Sequence, residues 1–330
     1  MPGLPRIHIV ATGGTITGAA TSAADTAGYR AGALGIEALL AAIPEAAQLA
    51  HLSHEQAFKR DSKDFLPGEW LQLAKQIEQL MTQDDAPAGI VITHGTDTLE
   101  ETAFFLALTL PRRIPVILTA AMRPASAHSS DGPMNLLQAI AAATRQALAA
   151  AGPLIVAANR LWRACDVTKR HTHAPDALGG FEAAPLATAH GTHWRIPPIL
   201  ATQPLFPAPW PDRLPEVWIL PGYAGAPAEL IDTAIASGVR GLVLALTGHG
   251  SVPEAWLPAL VRARSQGLAI VRATRVPAGG VTPDANFNDT LQGTLASCGL
   301  SPWQARIALM LGLAAGLSHE ALQNVFTSAS

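Results

Sequence analysis

The stretch that most constrains this chain is Gly89-Ile-Val-Ile-Thr-His-Gly-Thr-Asp-Thr98, followed by Leu99-Glu-Glu101. A short apolar run reads as a buried strand, and it enters a tight polar turn from which a helix starts at once. The turn carries Thr96, Asp97 and Thr98. It therefore offers two hydroxyls and a carboxylate at the carboxyl end of a strand, where ligands bind in open α/β sheets. The same pattern opens the chain: Arg6 to Ala11 reads as a strand and runs into Thr12-Gly-Gly-Thr15. Paired glycines turn the backbone sharply and let a ligand approach its amide groups. These two turns are expected to meet in one site.

Around them, strand and helix patterns alternate. Helices are expected over Ile36–Ile43, from Pro67 to about Met81, after Thr98 (with Leu99, Ala103, Leu106 and Leu110 as an apolar stripe), and from Pro133 to about Ala150. Strands are expected near Leu49–Phe58, Gly89–Ile92, Pro115–Thr119 and Leu154–Ala158. Such alternation with short connections implies a mostly parallel sheet with helices on both faces. Residues 12–35 lack periodicity, are glycine-studded, and contain Tyr29 as their sole aromatic; so long a stretch reads as a functional lid. Short extended pieces are expected between Ala158 and Gly191.

Seven prolines between 195 and 215 mark an extended linker lying on the protein. Alternation then resumes, with strands at Val217–Leu220, Gly241–Ala245 and Leu268–Arg272 and helices at Pro227–Ser237 and Pro253–Arg264. The remainder is expected to be helical, broken near Gly299. The fold class is thus α/β. A larger N-terminal domain (1–194) with the mostly parallel sheet is followed by a linker (195–215) and a smaller C-terminal α/β domain (216–330).

Composition narrows the function. With 49% hydrophobic and 14% charged residues, the chain has the makings of well-buried cores. A net charge of −3 gives no electrostatic case for nucleic acid or an acidic membrane surface. The N-terminus lacks a cationic segment followed by an apolar one, and the run Ile307–Leu317 falls well short of the ~20 residues a membrane span needs. A cytoplasmic location is the expectation. Cys165 and Cys298 form no disulfide framework or C-x-x-C pair and read as small buried hydrophobes.

Each candidate residue has two readings. Thr15 is a nucleophile if a neighbour accepts its proton, or a turn or cap threonine. The glycine-rich turn also invites a dinucleotide reading, which the absence of G-x-G-x-x-G and of a compact βαβ unit makes weak. Thr98 with Glu101 matches the capping box, and Asp97 suits a helix N-terminus, yet one cap needs one residue and three polar groups stand here. Lys169, in Asp166-Val-Thr-Lys169, is a base if placed in a low-dielectric site, or else a solvated surface lysine. His171-x-His173 and His190-x-x-His193 lack a carboxylate at ligand spacing, so neither zinc nor another metal is expected.

The motifs Ala11-Thr-Gly-Gly-Thr-Ile16, Ile92-Thr-His-Gly-Thr-Asp-Thr-Leu-Glu-Glu101, Ala121-Met-Arg-Pro124, Ser130-Asp-Gly-Pro-Met-Asn135 and Asp166-Val-Thr-Lys169 occur together. On them the chain resembles the bacterial-type L-asparaginases, the asparaginase/glutaminase family with an N-terminal threonine nucleophile, over essentially its whole length. The resemblance implies hydrolysis of L-asparagine to L-aspartate and ammonia through a Thr15 acyl-enzyme, with glutamine as a minor substrate and no cofactor. It implies that Tyr29 orients or deprotonates Thr15. Thr96, Asp97 and Lys169 would form a second hydroxyl–carboxylate–lysine group. Asp97 would also grip the substrate ammonium and Ser62 its α-carboxylate, with Lys63 beside it. Backbone N–H groups near Gly14 and Thr96 would form an oxyanion hole. It further implies a homodimer or homotetramer with shared sites.

Three positions depart from the family pattern: Lys63 stands where many members have Gln, His249 replaces a frequent Asn, and Asn286 replaces a Glu that reaches a neighbouring subunit's site. A neutral Asn cannot supply that charge, which leaves Asp284 or Asp289 as candidates to compensate. A competing reading is a non-catalytic amino-acid-binding or sensory protein on the same fold.

Overall fold

In a computed structural model, described for residues 3–26, 28–30, 32 and 34–330, the chain divides into two compact units, Met1–Pro207 and Ala208–Ser330. The first is built on an eight-stranded sheet. Its order is His193–Arg195, Ala187–His190, Arg160–Arg163, Leu154–Ala157, Val116–Thr119, Gly89–Thr93, Arg6–Gly13 and His51–Arg60. The strands from Leu154–Ala157 to His51–Arg60 run parallel; the three at the other edge are antiparallel. The mostly parallel sheet expected from alternation is present.

Strand order explains where the site lies. Arg6–Gly13 sits between His51–Arg60 and Gly89–Thr93. The chain leaves the first strand toward one edge and leaves Gly89–Thr93 toward the other. Two adjacent strands whose exits diverge create a crevice at their carboxyl ends, the topological switch point of open sheets.

Packing holds this centre from both faces. Ile7, Ile9 and Ala11 alternate onto one face and join a core with Ile36 and Leu39 and with Leu136 and Ile140 of the helix Gly132–Ala143. Val10, Ile90 and Ile92 on the opposite face are equally buried. There Trp70 of helix Pro67–Thr82 stacks on Phe105 of helix Leu99–Thr109, ring centroids 5.7 Å apart.

Several expectations need correction. Helix Leu99–Thr109 is buried nearly all round, not on one stripe, as befits a helix packed on both sides. Its first residues carry no capping box: Thr98 makes no side-chain cap bond, and its hydroxyl donates instead to the carbonyl of Ser62 at 2.7 Å. A capping box does occur at Ser301 and Gln304, ahead of helix Pro302–Ala314. The helix from Gly132 ends at Ala143, followed by a 3-10 segment at Gln146–Ala151. The Thr144 hydroxyl bonds back to Ala141 there, and Arg145 leaves helical geometry.

The proline-rich stretch is held at two points, with Thr202 N–H on the Ala150 carbonyl and Phe206 N–H on that of Leu108. The second unit has a four-stranded parallel sheet in the order Val217–Pro221, Gly241–Leu246, Ala269–Thr274, Leu295–Ala296. The expectation that everything after Arg272 is helical fails: residues 275–288 are irregular, and Leu295–Ala296 supplies the fourth strand before helices Pro302–Ala314 and His319–Ala329. Buried Arg272 organises this region. It binds both oxygens of Asp289, at 2.6 Å and 2.5 Å, and donates to the Gly250 carbonyl at 2.8 Å. A charged cluster is thus the scaffold where helix was expected.

Candidate active site

Three turns meet at the crevice, and glycine allows the approach. Gly14 has φ 86° and ψ −176°, a region essentially restricted to glycine. A Cβ there would lie 2.4 Å from the Gly95 nitrogen. A Cβ on Gly95 would lie 2.5 Å from the Ser62 hydroxyl. Gly14 N–H also bonds the Arg60 carbonyl at 3.1 Å. The opening turn therefore touches the His94–Thr98 turn, which in turn touches the 60–64 turn.

Thr15 lies at this junction, buried, at the start of a 3-10 turn (Thr15–Thr17) whose cap position is taken by Gly14. Ser62 is buried, and its hydroxyl accepts the Asp97 N–H at 3.1 Å. As an acceptor it keeps its own proton to donate. Lys169 enters from a two-residue strand, Thr168–Lys169, paired antiparallel to Leu178–Gly179. Its ammonium donates to Thr96 Oγ1 at 2.9 Å and Asp97 Oδ1 at 2.6 Å. Thr96 is buried while half the Asp97 side chain is exposed (50%), so one lysine links a shielded hydroxyl to a carboxylate open to a ligand.

Two residues of the Ile92–Glu101 motif that the sequence reading gave no role in the site stand beside this cluster. Glu100 accepts the Lys169 main-chain N–H at 2.7 Å. Burial pushes its carboxyl above the ordinary range, against bonds from Thr168 and Lys169 and the nearby Lys169 charge. The clue in sequence was a carboxylate in the first turn of a helix otherwise apolar. His94 is wholly buried beside the turn, and desolvation lowers its pKa to about 4.

The remaining motifs brace the site. Asp131 accepts the N–H groups of Met122 and Arg123, and Asn135 bonds the Ala120 carbonyl and the Ala158 N–H. The loop so fixed holds the first arm of the expected lid, through Ala125 N–H to Gly18 and Ser126 to Ala20.

Other candidates lie apart from the lysine cluster. The Lys63 ammonium pairs with Asp61 and, at 3.8 Å, Asp64, and these raise its pKa, the Asp61 hydrogen bond most. The backbone of Tyr29 pairs with Ala20, but its side chain lies outside the described part of the structure. In the second unit, two departures from the family pattern are partners: His249 Nδ1 and Asn286 Oδ1 are 3.2 Å apart. His249 Nε2 accepts the Thr282 N–H at 3.1 Å. Asp284 and Asp289 are engaged with Thr290 and Arg272. Among the described residues no three His, Cys, Asp or Glu converge to hold a metal ion.

Sequence comparison decides the family. The profile described as "Asparaginase, N-terminal" matches residues 6–198, and "Glutaminase/Asparaginase C-terminal domain" matches 216–326. The chain belongs to the asparaginase family. A Haemophilus influenzae protein named probable L-asparaginase periplasmic is 38% identical over 98% of this chain and 93% of its own length. A glutaminase-asparaginase of Pseudomonas fluorescens is 35% identical, covering 98% of this chain and 90% of that one. The crystal structure of a probable cytoplasmic L-asparaginase from Campylobacter jejuni superimposes with a TM-score of 0.93 at 33% identity, over 98% of this chain and 99% of the other. This asparaginase-family chain shares the two-domain α/β fold with that structure. Among its described residues no helix is long and apolar enough to cross a membrane.

Proposed function

We propose that this chain hydrolyses the side-chain amide of L-asparagine to L-aspartate and ammonia, with L-glutamine as a secondary substrate. The observation that carries the reading is the Lys169 ammonium within hydrogen-bond reach of both Thr96 and Asp97, on a turn in contact with Gly14, the neighbour of Thr15. A threonine hydroxyl needs a proton acceptor to become nucleophilic. In this reading Tyr29 serves Thr15, whose Oγ attacks the amide carbon. N–H groups at Gly14 and Thr96 hold the oxyanion, the C–N bond breaks and ammonia leaves with a proton. Water, activated at Thr96 by Lys169, then attacks the acyl carbon and releases the acid, restoring Thr15.

In the same reading Asp97, half exposed, meets the substrate ammonium, and Ser62, with a proton to donate, its α-carboxylate. Lys63 borders the Ser62 turn and adds positive potential there. Asn286, as the partner of His249, is assigned to a neighbouring subunit's site in a homodimer or homotetramer, and residues 195–215 act as the linker between the domains. A cytoplasmic setting is supported by the description of the Campylobacter jejuni structure and by a sequence with only two cysteines.

The test is ammonia release from asparagine and glutamine by the wild type and by Thr15→Ala. The wild type should turn over asparagine and the variant should lose essentially all activity. Undiminished turnover by the variant would overturn the nucleophile assignment; binding of asparagine without ammonia release by the wild type would favour a sensory role.

A further inference from the structure

Behind the Thr96 turn lies a chain of buried polar groups whose protons can be ordered in one way. The Trp70 indole N–H donates to Thr102 Oγ1 at 3.0 Å. Thr102 Oγ1 is also 3.0 Å from His94 Nε2, and His94 Nδ1 is 2.8 Å from the Gly95 carbonyl oxygen. Trp70 is nearly buried, and Thr102 and His94 are wholly so. An indole N–H is a donor only, and a carbonyl oxygen is an acceptor only. Thr102 must therefore accept from Trp70 and spend its own proton on Nε2. That leaves Nε2 bare and the ring proton on Nδ1, which the Gly95 carbonyl requires.

This direction has a consequence at the site. A trans peptide is planar, with its C=O and N–H pointing oppositely. Holding the Gly95 carbonyl against the buried imidazole aims the Thr96 N–H away from the core, at the crevice side of the turn. Burial of both ring nitrogens between fixed partners keeps the imidazole neutral: desolvation lowers its pKa to about 4. Phe65 closes the remaining side, its ring centroid 4.9 Å from that of His94. Among the described residues, no charged side chain is hydrogen-bonded to either ring nitrogen.

We propose that His94 is a positioning residue whose Nδ1–H tautomer, fixed through Thr102 by Trp70, sets the Gly95–Thr96 peptide for oxyanion stabilisation. This rests on the assignment of the Thr96 N–H to the oxyanion hole. The role is structural in origin and kinetic in effect: it acts on the transition state through one peptide plane and touches no substrate.

The experiment uses the intact protein labelled with 15N-histidine, with the His94 signals assigned by their loss in His94→Phe. The wild type should show a protonated Nδ1 and a bare Nε2, unchanged from about pH 5 upward. A protonated Nε2 would overturn the proposal, whatever the activity. Kinetics supply the second arm. His94→Phe keeps an aromatic ring and removes both nitrogens, and should lower kcat about tenfold with KM nearly unchanged, less than the ~100-fold typical of deleting an oxyanion donor outright.

His94→Asn, whose amide can donate where Nδ1 does, should recover most of that loss. Thr102→Val should redistribute the tautomer and lower kcat, and combined with His94→Phe should add nothing further, since residues of one network are not additive. A fall in thermal stability with kcat intact in both single variants would reduce the chain to core packing and sink the idea. If Thr15→Ala stays active while the tautomer is as described, the catalytic reading fails and the imidazole geometry stands.

Discussion

His94 is removed from water on all sides, so in the folded chain its ring stays neutral at pH values where an unfolded histidine takes a proton. The sign follows from proton counting. Between pH 6.5 and about 4 the unfolded state binds the proton and the folded state does not, so stability rises with pH across that window and falls as pH drops through it. The slope from this one group approaches 1.4 kcal/mol per pH unit, or roughly 2–4 kcal/mol over the window. Urea midpoints taken at pH 7 and pH 5 should differ accordingly, and the difference should shrink in His94→Phe; an equal difference in the variant would place the effect elsewhere. At this scale the sequence was informative about chemistry and silent about partners. Thr15, Thr96 and Asp97 were legible as residue types at strand ends, and Lys169 only through the motif it shares with the family. Thr102 and Trp70 were not, because a threonine inside a helix and a tryptophan on an apolar stripe both read as ordinary packing until a buried histidine is found between them.

At the scale of elements, the site depends on how closely three turns approach. Gly14 adopts a conformation that costs other residues of order 1–3 kcal/mol, and any Cβ there would collide with the main chain of Gly95, which has no side chain to yield. Gly14→Ala should therefore lose at least about a hundredfold in kcat/KM, as small misplacements of reacting groups do, and should unfold at lower urea. Wild-type kinetics in that variant would mean that the two turns are not apposed. The same closeness explains the capping error. Thr98 has the right spacing to Glu101 for a capping box, but the neighbouring 60–64 turn offers its hydroxyl the Ser62 carbonyl. A contact between residues 36 apart in sequence outcompeted a local one, and the outcome ties the helix start to the turn that holds Ser62.

For the whole molecule, the second unit shows what a periodicity reading loses. Between Arg272 and Gly299 the sequence reading expects helix, but the segment is largely irregular and its order comes from Arg272. That guanidinium is wholly buried, holds Asp289 through both oxygens, bonds the Gly250 carbonyl and has the Phe287 ring 5.0 Å away. Removing one member of a buried ion pair leaves the other charged and unpartnered, at about 3–5 kcal/mol. Arg272→Met should destabilise the protein by that amount in urea unfolding, and Arg272→Met with Asp289→Asn should recover part of it. A loss below about 1 kcal/mol for the single change would show that water or another group replaces the guanidinium. The loops it fixes carry His249 and Asn286, so the pairing of those two residues depends on it.

The sequence by itself determined the alternation of strand and helix, hence a largely parallel sheet, and the polar turns at its strand ends, because hydrophobic period and turn chemistry are local properties. It also carried family membership in its long motifs. Strand order was beyond it: that Arg6–Gly13 lies beside Gly89–Thr93, bringing Gly14 against Gly95, is a matter of which surfaces bury best against one another. So are the reach of Lys169 to Thr96 and Asp97, the seat of Glu100 on the Lys169 main chain, and the proton order from Trp70 to the Gly95 carbonyl. Each depends on desolvated polar groups finding partners far away in sequence, and only the folded chain sets those distances.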